Sequence, residues 1–411
     1  MSKFSINQRV RNHLLGYGPI RRFWTHLRGT QVLQRYRMFE ERYGANNRSS
    51  ANTYSSFDVQ RAMQERLEGL PIQPRPEGEV HSVYVGLTRN WGLGMAYELE
   101  QLGPVSIFDW EKFGFYEGSN DTRRRLPELN ETLFKFLKET NRKRPIDWIL
   151  MPCSGEIILR DIPKRIREEL GIPTVNQWLD CKQVFETGRT FHGQDSGMKD
   201  IAPEFDLIWS SARPCCDWYL AVGARPVFMG EGFSPRLIPK VDCAKKHDVG
   251  FVGARYGLRP DYVDALRRAG LRVEVRGPGW GTRMVPFSEM AEFFGQCKVN
   301  LGMGGVGYSM SLTTLKGRDF EVPGAGGAYL TTFNPDLAEH FHVGNEILCY
   351  RNIDEMIELA RLLVNDDQRR EQLAANAYHR AMREHRWLHR FRDVLGLLGV
   401  LKSNRSERRC A

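Results

Sequence analysis

Lys316, Arg318 and Glu321 fall within six residues of the segment KGRDFEVPGAGG, so one short element carries two cations and a carboxylate. On a helix these positions span about one and a half turns, which Pro323 and a glycine cluster ending at Gly327 would terminate. Cations so placed can face phosphate oxygens while the carboxylate accepts from ribose hydroxyls. A buried carboxylate without a partner is costly, so Glu321 needs one. An Arg318–Glu321 salt bridge would serve equally well as a structural device. Upstream, VGFVGARYGLRP closes an apolar run with Gly253 and sets Arg255 and Arg259 beside it. A diphosphate needs backbone N–H donors and fixed cations, and arginine gives planar, multidentate contacts. Either arginine alone also reads as a solvated charge at a helix entry.

Two further segments could meet a ligand. GLTRNWGLGM places Gly86, Gly92 and Gly94 at a strand-to-helix turn, where backbone can approach a phosphate or an acceptor closely. The same glycines suit a tight connection with no ligand. Their spacing matches neither the dinucleotide fingerprint nor the P-loop. In VRGPGW, Trp280 either packs or stacks on a ligand.

These residues need elements to hold them. From EVHSVYVGL onward the chain alternates strand patterns (80–87, 104–109, 146–152, 173–178, 205–210, 226–229) with amphipathic helices such as 92–102, 124–140 and 156–170. FSPRLIPKVDC, with two prolines, reads as an interdomain connection. A second alternating series follows: strands over 247–253, 271–277, 298–303, 327–331 and 346–350, helices over 259–269 and 287–296, and long helices over 353–400. Alternation of this kind predicts parallel sheets covered on both faces. The reading is therefore α/β, with two successive doubly wound domains and a crevice between them for ligands.

The chain has 411 residues and a net charge of +9. Residues 1–45 hold nine Lys/Arg against Glu40 and Glu41, and the tail from 402 adds a surplus of +3, leaving the body at −1. A nucleic-acid groove in the body would leave a basic surplus there. The basic arm, with helical stretches over 20–43 and a Ser/Asn/Gly-rich stretch at 44–56, could meet DNA or an anionic membrane surface, or pack on the first domain as an extra helix. Arg9, Arg11 and His13 interrupt any secretory core, no apolar run is long enough to span a bilayer, and the eight cysteines show no metal-like or disulfide spacing. A cytoplasmic protein is expected.

From His247 to about Arg390 the chain resembles the C-terminal domain of the CgeB-like, spore-maturation-type glycosyltransferases of the GT-B superfamily. The segments that carry it are DVGFVGARYGLR, VRGPGW, KVNLGM, KGRDFEVPGAGGAYLT, GNEILCYRNIDEMIELARLLVND and the His385/Arg390 pair in HRWLHR. The N-terminal half is similar more weakly, through IDWILMPC, LGIPTVNQWLDCKQVF, FDLIWSS and VGARPVFMGEGFSP, and residues 1–70 lie outside it. The resemblance implies GT-B architecture, two Rossmann-like domains facing across a cleft behind a basic helical extension. Its implied boundaries are 1–70 for extension and linker, 71–238 for the acceptor domain and 239–385 for the nucleotide-sugar domain. Residues 386–411 form a C-terminal helix that can cross back to the first domain, and a basic tail.

The resemblance also implies a donor site formed by Gly253, Arg255, Gly279, Trp280, Lys316, Arg318, Glu321 and Gly326, with Glu321 on the ribose of a nucleoside-diphosphate sugar. Related retaining enzymes have a second glutamate where this chain has Thr313, and a histidine where it has Leu179. Inverting transfer needs a base for the acceptor hydroxyl. Asp180 is the first candidate, although it also suits a helix N-cap, followed by Glu156 and then His192. No cofactor and no metal are expected, since GT-B enzymes stabilise the leaving diphosphate with side chains and helix N-termini. The acceptor is a protein, glycan or small molecule. The alternatives are a phage-type DNA glycosyltransferase acting on modified bases and a non-catalytic binding protein of the same shape.

Overall fold

The computed structural model describes residues 18–47, 53–89 and 91–402. The first seventeen residues, the middle of the Ser/Asn-rich stretch and most of the basic tail lie outside them. The chain divides into two compact units: 39–239 with 381 onward, and 240–380 with residues up to 38.

The first unit is built on a six-stranded, all-parallel sheet. Its strands are β1 (Ser82–Val85), β2 (Val105–Phe108), β3 (Trp148–Met151), β4 (Thr174–Trp178), β7 (Leu207–Ser210) and β8 (Pro226–Phe228), in the order β2-β1-β3-β4-β7-β8. A small hairpin, β5 (Thr190–Phe191) with β6 (Gln194–Asp195), intervenes. Strands buried on both faces are largely apolar, as β3 is throughout and β1 is apart from Ser82, whose hydroxyl accepts from the Trp148 indole N–H at 2.7 Å; every residue of both is buried. The registers Ser82↔Trp148 and Ser82↔Val105 place β1 between β3 and β2. The direction of strand order therefore reverses at β1, which makes the ends of β1 and β3 the natural place for a ligand.

One face of this sheet is covered by the helix Trp387–Leu397. Trp387, Phe391, Val394 and Leu395 pack with Trp148, Trp209 and Tyr84 in one core. Full burial of each such side chain contributes roughly 1.5–3 kcal/mol. Arg390, buried with the helix, ties its entry by donating to the carbonyls of Gly230 and Glu384 at 3.2 and 3.0 Å and lying 2.9 Å from His385 Nδ1. The His385/Arg390 pair is thus a carbonyl clamp. Phe39, in the last turn of the helix Gly18–Tyr43, is buried against Phe185 and Trp218.

The second unit carries a five-stranded parallel sheet: β9 (His247–Val252), β10 (Val273–Arg276), β11 (Cys297–Leu301), β14 (Tyr329–Thr332) and β15 (Leu348–Tyr350), in the order β10-β9-β11-β14-β15. An antiparallel pair, β12 (Gly305–Val306) with β13 (Ser309–Thr313), lies between β11 and the helix that follows. The helix Ile353–Asn365 starts where the Asn352 side chain accepts from the Glu355 N–H, and buries Met356, Ala360, Leu363 and Val364, spaced for one face. The expected long helices over 353–400 are three, with breaks at Asp366 and between Glu384 and Trp387.

The described residues of the basic arm up to Met38 belong to this second unit, while Phe39 and Tyr43 pack on Phe185 of the first, so packing on the first domain holds only for the end of the arm. Arg21 and Arg22 both donate to Asp261 Oδ1, at 2.8 and 3.0 Å, and Arg28 donates to the Tyr308 hydroxyl at 3.2 Å. Gly29 lets the helix approach closely, because a Cβ there would sit 3.1 Å from the Tyr308 carbonyl oxygen. No helix among the described residues is long and apolar enough to cross a membrane.

Candidate functional site

In the second unit the candidate residues gather where β9 and β10 end. The Gly253 N–H donates to the Arg276 carbonyl at 2.8 Å, and the Arg255 N–H to Pro278 at the same distance. Gly277 has φ 132°, and a Cβ there would lie 2.5 Å from the Gly253 carbonyl oxygen, so no other residue lets these loops meet. Gly279 faces the Arg255 side chain, 3.2 Å from where its own Cβ would be. Trp280 pins the pair: its indole N–H donates to the Gly253 carbonyl at 2.8 Å, and its ring meets Phe251 edge-on at 6.2 Å. Of the two readings of Trp280, packing accounts for its N–H and for its contact with Phe251.

The cations lie around this clamp. Arg255 is exposed, its guanidinium 5.8 Å from the Trp280 ring centroid, with no ion pair among the described residues. Arg259 is only 7% exposed; it donates to the Ala254 carbonyl at 3.1 Å and lies over the rings of Tyr256 and Phe251. Burial pushes its pKa down to about 10, and the charge of Arg318 acts in the same sense. Arg318 reaches the same Phe251 ring, and its buried Nε has no hydrogen-bond partner. Neither Arg259 nor Arg318 has a carboxylate partner among the described residues.

Arg318 opens the helix Arg318–Gly324, so Lys316 lies ahead of it rather than on it, contrary to expectation. The Lys316 N–H is held by the Asp319 carboxylate at 2.8 Å, which also accepts from the Tyr329 hydroxyl at 2.6 Å. Glu321, on that helix, is 9% exposed. The alternative Arg318–Glu321 salt bridge is not formed. Burial instead pushes the Glu321 carboxyl up to about 7, with Arg318 opposing. Gly326 sits past the far end of the helix with φ 75°, against the Lys240 side chain, and serves to end the helix.

In the first unit the three base candidates occupy different settings. Asp180 is exposed at the end of β4; it holds the N-cap position of Cys181–Val184, yet its side chain makes no capping hydrogen bond. Glu156 is paired with Arg123 at 3.0 Å. His192 has φ 49° in the β5–β6 turn, with Nε2 2.9 Å from the Arg123 carbonyl. Glu117 lies near the first two: reduced solvation, then the charges of Glu156, Glu111 and Asp180, push its carboxyl up, with Arg89 opposing. Gly86, Gly92 and Gly94 are explained by packing. A Cβ at Gly86 would lie 2.6 Å from the Tyr84 ring, one at Gly92 2.2 Å from the Tyr84 hydroxyl, and one at Gly94 3.1 Å from Leu237.

Sequence reasoning noted Arg259 without counting it among the donor residues, and it missed Phe251 and Gln177. A glutamine inside the buried run TVNQW was a readable signal, since a strand closed on both faces has no place for an unpaired amide.

Comparison with known structures shows the fold. Sucrose-phosphate synthase from Thermosynechococcus elongatus is similar with a TM-score of 0.53 at 10% identity, covering 77% of this chain and 98% of its own. The architecture is the GT-B fold. Anabaena HepE, in complex with UDP and glucose, gives 0.48 at 13% identity over 77% of this chain and all of its own. The DNA-modifying enzyme β-glucosyltransferase gives 0.48 at 11% over 78% and all of its own. Residues 259–396 match the family described as glycosyl transferase-like. A search of curated proteins finds no match.

Proposed function

We propose that this protein transfers a sugar from a nucleoside-diphosphate sugar, bound in the second unit, to a hydroxyl group. One observation carries the reading: Arg259 and Arg318 share a ring at the end of β9 and have no carboxylate partner among the described residues. Cations so placed call for an anion, and a diphosphate leaving group is one. The glycosyl transferase-like match covers the segment holding both arginines and Glu321, and the collinear motifs over 247–390 support a CgeB-like relationship.

In this reading Arg255, Arg259 and Arg318 meet the diphosphate, Glu321 accepts from the ribose, and Asp180 takes the acceptor proton. Their positive charge does the work a divalent metal does elsewhere, so transfer is metal-independent. The cysteine pattern supports a cytoplasmic setting. A screen of nucleotide sugars for slow donor hydrolysis by the full chain, with and without EDTA, tests this. Hydrolysis of at least one donor in EDTA is expected. No hydrolysis and no nucleotide binding would sink the transferase reading, while activity restored only by magnesium or manganese would overturn metal independence.

A further inference from the structure

A cavity of about 270 Å³ opens in the first unit at the ends of β1 to β4, beside the point where the strand order reverses. Tyr84, Trp91, Trp110 and Trp178 supply its aromatic walls, and Glu117 and Asp180 also line it. Gln177 contributes from the end of β4. It is fully buried, and both its amide oxygen and its amide nitrogen lack a hydrogen-bond partner among the described residues. The indole N–H groups of Trp110 and Trp178 are likewise buried and unpaired. Native proteins pair nearly all such groups, so several around one cavity mark a place where a ligand supplies the partners.

The chemistry of the walls narrows that ligand. Aromatic faces take the C–H faces of a ring, while the amide, two indole N–H donors and two carboxylates offer donors and acceptors in several directions. A ring that is apolar on its faces and carries hydroxyls around its edge, each both donor and acceptor, satisfies all of them. The volume suits one such ring. A base flipped from duplex DNA would also stack, but it brings phosphates to a cavity that Glu117 and Asp180 line.

We infer that this cavity binds the acceptor as a neutral sugar ring, so that the protein extends a glycan or glycoside. The inference rests on the transferase reading for its chemistry. Asp180 then stands at the wall of the cavity that holds the hydroxyl it deprotonates.

The full-length protein can be tested with a panel of methyl glycosides of common hexoses and pentoses by saturation-transfer NMR, with nucleoside-diphosphate binding followed in parallel by calorimetry. At least one glycoside is expected to bind. Trp178→Ala should weaken it by about tenfold or more through lost stacking, leaving nucleotide binding unchanged. Gln177→Met keeps the volume and removes an amide unpaired in the free protein, so it should raise the melting temperature while weakening glycoside binding. That opposite movement separates a ligand-binding amide from a structural one. Nucleotide binding with no glycoside binding, or glycoside binding indifferent to both variants, overturns the inference and leaves the transferase reading standing. Binding of a duplex oligonucleotide that depends on Trp178 overturns it in favour of a base. Glycoside binding with no nucleotide binding upholds the cavity and removes the transferase reading instead.

Discussion

Arg259 and Arg318 come from separate elements to one ring, their guanidinium carbons 5.6 and 5.5 Å from the centroid of Phe251. Cation–π attraction contributes roughly 0.5–2 kcal/mol at such a site, against the repulsion of two like charges and the desolvation of Arg259. A dianion bound to both would add attractions that outweigh that repulsion. The free protein therefore holds a local electrostatic cost that an anionic ligand would relieve.

The first prediction follows directly. Arg318→Met removes one charge and an unpaired Nε while keeping an apolar stem on Phe251. Nucleoside-diphosphate affinity should fall by about tenfold or more, since charge-assisted hydrogen bonds contribute roughly 1.5–3 kcal/mol each. The ligand-free melting temperature should hold or rise. Calorimetry and thermal melting report the two effects separately, and an unchanged dissociation constant would remove Arg318 from the site.

Glu321 gives a pH signature. Its carboxyl is raised from 4.5 to about 7, chiefly by burial. The folded state thus keeps the proton more tightly than the unfolded chain does. Its contribution to stability is intact below the unfolded value and is lost as pH rises through about 7, a change of about 3 kcal/mol at most. Glu321→Gln should flatten this fall, so the variant gains on the native protein between about pH 5 and pH 8. Nucleotide affinity should move the other way, rising with pH in the native protein as the carboxylate forms, and staying flat and at least about tenfold weaker in the variant. Parallel melting and calorimetric series at several pH values would show both trends, and a native affinity independent of pH would refute the ribose assignment.

Much of the fold was legible because burial on both faces makes strands such as β3 continuously apolar, and glycine marks the places where loops meet. The segment with Lys316, Arg318 and Glu321 stood out for its residue types alone. What stayed hidden depends on tertiary placement. Arg259 looks like any charge at a helix entry until Phe251 and Tyr256 close over it. The base candidates read alike in sequence, yet Glu156 is tied to Arg123 while Asp180 makes no cap hydrogen bond. Short elements such as the β12–β13 pair have too few residues to show a period.

Asp180→Asn tests the base. The variant keeps the size of the side chain and removes its ability to take a proton, so turnover should drop about 100-fold or more with donor binding intact. Near-normal turnover would move the search to Glu117 and Glu156.

The arm yields the last prediction. Arg21 and Arg22 converge on Asp261, and the Arg21–Asp261 pair is well shielded, with side-chain exposures of 12% and 9%. A shielded pair is screened little by salt, whereas contacts with a polyanion weaken steeply as salt rises. If the described arm is a structural helix of the second unit, Asp261→Ala should leave Arg21 without its partner and cost about 1–3 kcal/mol. Removing residues up to Met38 should lower the melting temperature further, and neither change should depend on salt. Any binding of duplex DNA should keep its salt slope when Arg21 and Arg22 are replaced by glutamine, because these arginines already have a protein partner in Asp261. A truncated protein of equal stability that no longer binds duplex DNA would reverse the assignment: the arm would be a tether, and the DNA-modifying alternative would take first place over a glycan acceptor.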